Sequence, residues 1–564
     1  MGNTKGVDSC RGKPALYSRL GIFTGYTSLP SDDVPFSTSR YNHMILFPCG
    51  ADDSDKRGFN AFHNVSYYSS MSGPALVNPV IKQLDVDGLP LWLLSYRVVI
   101  PGTYRLKVFV RFYNDFNQRN YVFFGESESR PCPGEFCKHR TNDAKKDCAK
   151  ESAIVDVDVV VDGGVGGEKT LGELGLEFLD LPLSQNGDGS ADGFWARVGR
   201  NTNDCMSSLQ DINKVFEGNP CKLSGESIDG ASPVYAWQPS DRRYKFYSST
   251  EIGKCFEDRG IKKVLIQGDS QARSLFAPFP SLLGDLDLGP TFMDDLKQKL
   301  KDNDDGSGST RMSNLGPNKL EVIYTQEWGE NSDFTDAKFK KEKLFEEGGP
   351  EVFIYNAGIP AHKSFGDSID FQKWWIGKVS APGAVVPKVL VFILPVTLQG
   401  QRNAYWSKMY NLQFVEKLER IAKNLGFSVL RLDQLTMGWD VTTTGQMDGF
   451  HYNFNAMSMG AMIVINTICN IPLKDYAEGR FYDVGEKLKV DSDSSDLLFT
   501  YEKTTVTIDG GREADVLVPA SDRYEKSKEG ESWKIVNPCN CFDTERIVPY
   551  NLVEDPVSFD VFGD

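Results

Sequence analysis

Apolar and polar residues alternate over much of the first third of the chain. Tyr104, Leu106, Val108, Val110 and Phe112 fall on one side of an extended segment, and Arg105, Lys107 and Arg111 on the other, with Phe109 the exception. The run from Leu91 to Asn114 therefore predicts half-buried strand, entered through the Pro101-Gly102 turn. The same period recurs from Ala153 to Asp162, where Val155, Val157, Val159 and Val161 oppose Asp156 and Asp158 and Gly163-Gly164 closes the run. Strands of this kind, separated by Gly and Pro and almost without helical periodicity, predict a β-sandwich over roughly the first 200 residues.

After Pro233 the period changes. Strand-length apolar runs at Lys263–Gln267, Leu320–Trp328, Glu351–Asn356, Lys388–Val396 and Phe427–Leu435 alternate with helix-length amphipathic segments at Phe292–Lys301, Lys338–Glu347, Asp370–Val379 and Tyr405–Asn424. Such alternation predicts a parallel sheet with helices on both faces, whose reactive groups lie at the carboxyl ends of the strands. Ala456–Leu473 is the most apolar long stretch, yet it has Asn455, Ser458, Asn466 and Asn470 in or beside it. It falls short of the ~20 apolar residues that span a bilayer, which predicts a buried helix and no transmembrane segment. Past residue 475 the pattern is again polar and strand-like, clearest at Leu497–Ile508, and ends in an acidic tail. The chain thus divides into a β-sandwich with an N-terminal extension (1–230), an α/β unit (231–475) and a β-rich extension (476–564).

Composition narrows the function. At ~100 to 200 residues per domain, 564 residues make several units, and 40% hydrophobic residues are enough to bury cores in them. With 62 Lys plus Arg against 78 Asp plus Glu the formal charge is −16, which disfavours nucleic acid and anionic membrane as partners. The polar, Gly- and Pro-interrupted segment Met1–Leu20 has no signal-peptide apolar core, and Gly6 leaves the myristoylation pattern after Met1-Gly2 incomplete. These features lead us to expect a cytoplasmic or unconventionally exported protein.

Eleven cysteines do not demand a complete disulfide framework. Cys132, Cys137, His139 and Cys148 have soft donor atoms, but their spacing matches no common zinc finger, so loop cysteines or a local disulfide are expected there. Asp188–Gly193 resembles the first half of a calcium loop, but Gly199 stands where the bidentate Glu belongs. Gly163–Gly167 lacks the Gly-Lys-Ser/Thr of a phosphate loop and is expected to be a hairpin loop. Asn64-Val65-Ser66 is a single sequon of the kind chance supplies. No metal site is expected.

The chemistry concentrates at three predicted strand ends. Val264-Leu265-Ile266-Gln267-Gly268-Asp269-Ser270 ends the first strand of the α/β unit and places Ser270 where strand turns into helix, with its N–H at the positive end of that helix. The third strand ends at Tyr355-Asn356-Ala357-Gly358, bringing an Asn amide and further N–H groups to the same edge as oxyanion donors. After the fifth strand comes Asp448-Gly449-Phe450-His451, whose spacing lets a carboxylate accept Nδ1–H of His451 and leaves Nε2 for the Ser270 proton.

Trp237-Gln238-Pro239, Gly268-Asp269-Ser270 with Arg273, Asn356-Ala357-Gly358 and Asp448-Gly449-Phe450-His451-Tyr452 together resemble the PC-esterase branch of the SGNH (GDSL-like) superfamily. Within it the chain is most similar to the neurexophilin and PC-esterase (NXPE) family, related to the plant trichome-birefringence-like O-acetyltransferases. The likeness covers roughly residues 230–472, and more loosely the preceding sandwich, for which it implies an immunoglobulin- or filamin-like fold. It implies Ser270 as nucleophile, His451 as general base and acid, Asp448 as its orienter, and Asn356, with the N–H groups of Ser270 and Gly358, as the oxyanion hole. Gly268 would permit the tight turn. Asp269 and Arg273 would support the nucleophile loop or form an internal ion pair, and His362 would reach the site or be a loop histidine without a role.

The implied activity is glycan O-acetyl transfer from an acetyl donor such as acetyl-CoA or an acetylated intermediate, with no permanently bound cofactor and a carbohydrate or glycoconjugate as substrate. Carbohydrate O-acetyl hydrolysis uses the same residues, and a non-catalytic structural or glycan-binding protein is the rival from another class. The family commonly has Cys after Trp-x-Pro, where this chain has Ser240. Cys255 is therefore expected to lack its partner, which weakens the family's implied setting in the secretory lumen.

Overall fold

A computed structural model describes residues 20–23, 41–48, 65–77, 79–86, 89–98, 100–113, 155–161, 193–210, 212, 216–224, 234–239, 243–284, 309–316, 318–326, 342–356, 365–396, 415, 418–437, 452, 454–471, 501–508, 511–519, 523–526 and 533–537. The architecture is mixed α/β with several sheets. Four strands, β1 (Leu20–Phe23), β2 (Tyr41–Pro48), β5 (Val80–Val86) and β6 (Leu89–Arg97), form an antiparallel sheet in the order β1-β2-β6-β5. Six more form a second antiparallel sheet in the order β11-β9-β4-β3-β7-β8: β3 (Val65–Ser72), β4 (Ala75–Val77), β7 (Gly102–Tyr113), β8 (Val155–Val161), β9 (Gly193–Gly199) and β11 (Val234–Pro239). The alternation read from the sequence sets their faces: Tyr104, Leu106, Val108, Val159 and Val161 are buried. Arg105 lies on the other face against Asp156 and Asp158 of the neighbouring strand, an exposed cluster that adds little stability. The short α1 (Thr202–Ser207) follows β9, and β10 (Glu217–Gly218) runs parallel to β12 (Lys245–Phe246).

The third sheet is largely parallel, with the order β14-β15-β13-β16-β17-β18. Its strands are β13 (Lys263–Gly268), β14 (Ser309–Leu315), β15 (Leu320–Gln326), β16 (Val352–Asn356), β17 (Val389–Leu394) and β18 (Ser428–Arg431). Only the edge strand β14 is antiparallel, to β15. Every residue of β17 is buried, as a parallel strand covered on both faces requires. Successive side chains enter different cores. Val264, Ile266, Val352, Ile354, Val391 and Ile393 join one, and Leu265, Phe353, Tyr355, Leu390 and Phe392 the other.

Helices α2 (Ser249–Asp258), α3 (Ser270–Phe276), α4 (Pro278–Gly284) and α7 (Phe454–Asn470) contribute to the first core, and α5 (Phe365–Val379) to the second. Two expectations change. The described part of Lys338–Glu347, from Glu342 on, is a series of turns rather than helix, with positive φ at Lys343 and Phe345 and a bridge from Phe345 to Val385. The strand expected over Phe427–Leu435 ends at Arg431, because Asp433 enters the first turn of α6 (Leu432–Met437) and pairs with the Arg431 guanidinium. The predicted helix at Phe292–Lys301 lies outside the described residues.

The first core runs without a break from the antiparallel strands into the parallel sheet, and α7 is its axis. Fourteen of the residues of α7 are buried, including Asn455 and Asn466. Burial of these amides is compensated by strand edges: Asn455 accepts from Tyr235 N and donates to Tyr235 O at 3.2 and 3.0 Å, and Asn466 does the same at Lys245 at 3.0 and 2.8 Å. Trp195 of β9 donates to the Leu435 carbonyl of α6 at 2.6 Å.

Cys255, expected to be without a partner, is bonded to Cys469. Packing of α2 against α7 brings their Cα atoms to 5.8 Å, within disulfide reach. A cysteine at position 240 is thus not needed to pair Cys255, and its absence carries no argument for a reducing compartment. A second disulfide joins Cys205 to Cys221. At the far side of the sheet, the hairpin of β19 (Tyr501–Thr507) and β20 (Glu513–Pro519) places Val506, Ile508 and Val516 in the second core, and Arg512 donates to Ser380 O at 3.0 Å. A further hairpin pairs β21 (Arg523–Lys526) with β22 (Trp533–Asn537). The β19–β20 hairpin therefore contributes to the α/β core. No helix among the described residues is long and apolar enough to cross a membrane.

Asn455→Ala leaves the buried Tyr235 N–H and C=O without these partners and is expected to destabilise the protein by about 2 to 3 kcal/mol in denaturant unfolding. A loss under about 0.5 kcal/mol would show that the clamp is dispensable.

Candidate active site

The parallel strands lie in the order second, first, third, fourth, fifth, so the chain leaves β13 in one direction and later crosses to its other side. Such a reversal marks the usual ligand position in sheets of this kind, beyond the carboxyl ends of the flanking strands, here β13 and β16. Gly268 and Asn356 are the last residues of these two strands. Gly268 has φ +155°, and a Cβ on it would lie 2.6 Å from Asn356 Cβ and 2.9 Å from Ala272 Cβ. Only glycine lets the turn pass this close to β16.

The turn is fixed from several directions. Asp269 caps α3 by accepting Gln271 N–H at 2.8 Å through Oδ1. Tyr324, fully buried on β15, has its hydroxyl 2.9 Å from Asp269 O and 3.2 Å from Gly268 O, a shared donor to both. Gln271, 1% exposed, accepts Val396 N–H at 3.1 Å through its Oε1, tying the turn to the exit of β17. Ser270 is the first residue of α3 and 7% exposed, and its carbonyl accepts from Ser274 Oγ at 3.0 Å. Asn356 is wholly buried.

Of the residues expected at the site, Gly268, Asp269, Ser270 and Asn356 are gathered at one sheet edge. No ion pair joins Asp269 to Arg273. The Asp269 carboxylate instead serves the backbone of α3, and Arg273 Nε is buried without a hydrogen-bond partner. Gly358, His362, Asp448 and His451 lie outside the described residues, as do Cys132, Cys137, His139, Cys148 and Asp188–Asp192. Among the described residues no group of three or more His, Cys, Asp or Glu could hold a metal ion. Sequence reasoning missed Tyr324 and Gln271. Gln271 follows the Ser directly, whereas Tyr324 is reached only through the pairing of Ile266 with Tyr324 in neighbouring strands.

A second charged cluster closes the far edge of the sheet. Arg431, 1% exposed, meets both Asp433 oxygens at 2.8 and 2.7 Å and also binds Glu419. Burial alone would push Glu419 up, but the charges of Arg431 and Lys423 outweigh it and hold its carboxyl below the ordinary range. The same balance acts on Arg431: burial would lower it, and Asp433 and Glu419 raise it beyond its usual value.

Compared with known proteins, the chain matches no family model, no curated protein and no solved structure.

Two outcomes follow from this geometry. Gly268→Ala forces β13 and β16 apart and is expected to destabilise the protein by about 1 to 3 kcal/mol, whereas Tyr324→Phe, which removes the donor shared by the Gly268 and Asp269 carbonyls, costs about 1 kcal/mol. Equal melting of Gly268→Ala and wild type would contradict the close approach. A carboxyl held low in the folded state stabilises above its unfolded pKa, and that contribution fades as pH falls through the folded one. Wild type should therefore lose its advantage over Glu419→Gln as melts are taken below about pH 4. A difference independent of pH would contradict the pairing with Arg431.

Proposed function

We propose that this chain is a serine acyltransferase of the SGNH type that moves acetyl groups onto carbohydrate hydroxyls, its α/β unit being PC-esterase-like and its leading antiparallel sheets an immunoglobulin- or filamin-like sandwich. The observation that carries the reading is the Gly268-Asp269-Ser270 turn at the carboxyl ends of β13 and β16, packed against Asn356. A serine at the start of a helix, beside a buried amide at a topological switch point, has the parts for nucleophilic attack and charge stabilisation.

In the proposed reaction Ser270 Oγ attacks the acetyl carbonyl carbon while His451, oriented by Asp448, takes the hydroxyl proton. The carbonyl oxygen becomes an oxyanion met by Ser270 N–H, Asn356 and the Gly358 N–H. Collapse of the tetrahedral species breaks the bond to the donor's leaving group, which departs with the proton from His451, and acetyl-Ser270 remains. A sugar hydroxyl then attacks the acetyl-serine, giving its proton to His451. Ser270 Oγ leaves, takes that proton back and releases the O-acetylated sugar. Water in place of the sugar makes the same site an O-acetylesterase.

The test is intact-mass measurement after incubation with an activated acetyl ester, with and without a panel of sugars. Wild type should gain one acetyl group, Ser270→Ala none, and His451→Ala far less. Acetylated sugar marks transfer and free acetate marks hydrolysis. Equal labelling of wild type and Ser270→Ala would remove Ser270 as nucleophile.

A further inference from the structure

Gln271 is buried beside the Gly268-Asp269-Ser270 turn and has no part in the proposed chemistry. Its backbone N–H is held by Asp269 Oδ1 at 2.8 Å and its side-chain Oε1 by Val396 N–H at 3.1 Å. Because β16 lies between β13 and β17 in the sheet, the second bond passes across the carboxyl end of β16, where Asn356 stands. The side chain therefore links the nucleophile's helix to the exit of a strand two places away.

A packing role explains this poorly. The contact with Val396 N–H fixes which amide atom is the oxygen, and the remaining Nε2 is buried with no hydrogen-bond partner. Methionine, similar in length and volume, would fill the same space and remove the stranded Nε2, at the loss of the single bond to Val396 N–H. A buried polar group kept at such a cost marks a position where geometry is held for another purpose.

We infer that Gln271 is a positioning residue: it locks the first turn of α3 to the exit of β17 and so sets Ser270 relative to Asn356. The inference rests on the acyl-serine reading above. Small displacements of a nucleophile from its oxyanion donors cost rate far more than they cost folding, so the lock acts on the reaction and not on substrate affinity.

The experiment follows acetyl-Ser270 formation from p-nitrophenyl acetate in the full chain for wild type, Gln271→Met and Gln271→Glu, with thermal melts alongside. In Gln271→Met the lost bond to Val396 and the removed stranded donor oppose each other, so its melting point should stay close to that of wild type. Its acylation rate should fall at least about tenfold at an unchanged half-saturating ester concentration. Gln271→Glu keeps an acceptor for Val396 N–H but puts an anion beside the developing oxyanion. Its rate relative to wild type should rise as pH is lowered through the new carboxyl's titration, because the neutral acid restores the lock without the charge. Gln271→Met acylating within about twofold of wild type overturns the inference while leaving Ser270 as nucleophile. Should that variant not fold, a Gln271→Glu ratio that is flat with pH overturns it equally. No acetyl-serine in wild type removes the acyl-serine reading, and the inference with it.

Discussion

The close approach of β13 and β16 at Gly268 is the constraint on which the rest of the sheet edge depends. With no Cβ at that position, the turn into α3 presses against Asn356, and any side chain there would meet backbone-anchored carbons rather than a flexible end. The neighbouring contacts follow from it. Tyr324 reaches the turn's carbonyls from β15, Asp269 closes the first turn of α3, and Gln271 reaches over to Val396 beyond β17. Three strands thus hold one four-residue segment, and the backbone of the serine inside it has little conformational freedom left.

The edge is rigid because the layers beneath it are. One core continues from the antiparallel strands through α7 into the parallel sheet, so the leading sheets are part of the same packed body. The polar residues of α7 decide how it sits. A buried amide needs partners, and Asn455 and Asn466 find paired ones outside the helix on β11 and at Lys245, which fixes the helix in both height and rotation. On the opposite face an aromatic layer does the corresponding work. Phe353 stacks on Trp375 at 5.9 Å and Tyr355 on Phe371 at 4.7 Å, and the C-terminal β19–β20 hairpin packs into that layer.

What the sequence disclosed was local. Period-two alternation located β7 and β8 and their buried faces, and the all-apolar runs located β13, β16 and β17, because each pattern is a direct imprint of burial on neighbouring residues. The strand-to-helix turn at Gly268-Asp269-Ser270 was legible as well, whereas the capping of α3 by Asp269 was not read from it. Distant partners were not legible. Nothing in the pattern around Val234–Pro239 says that this strand pairs with β9. Nothing near Cys255 points 214 residues onward to Cys469. Lys338–Glu347 carries a helical rhythm, but its last described residues turn under Gly348, Gly349 and Pro350 and the bridge to Val385, a contact that no window of sequence contains. Tyr324 belongs with these, because its role comes from strand register.

The Cys255–Cys469 bond has a topological consequence. It joins α2, which precedes β13, to the end of α7, so every strand of the parallel sheet lies within one covalent ring. In the chain-entropy view a ring of that size removes roughly 5 kcal/mol of freedom from the unfolded chain. A protease that cuts one peptide bond anywhere inside the ring produces a nicked molecule, not two fragments. Its halves stay tethered through the cystine.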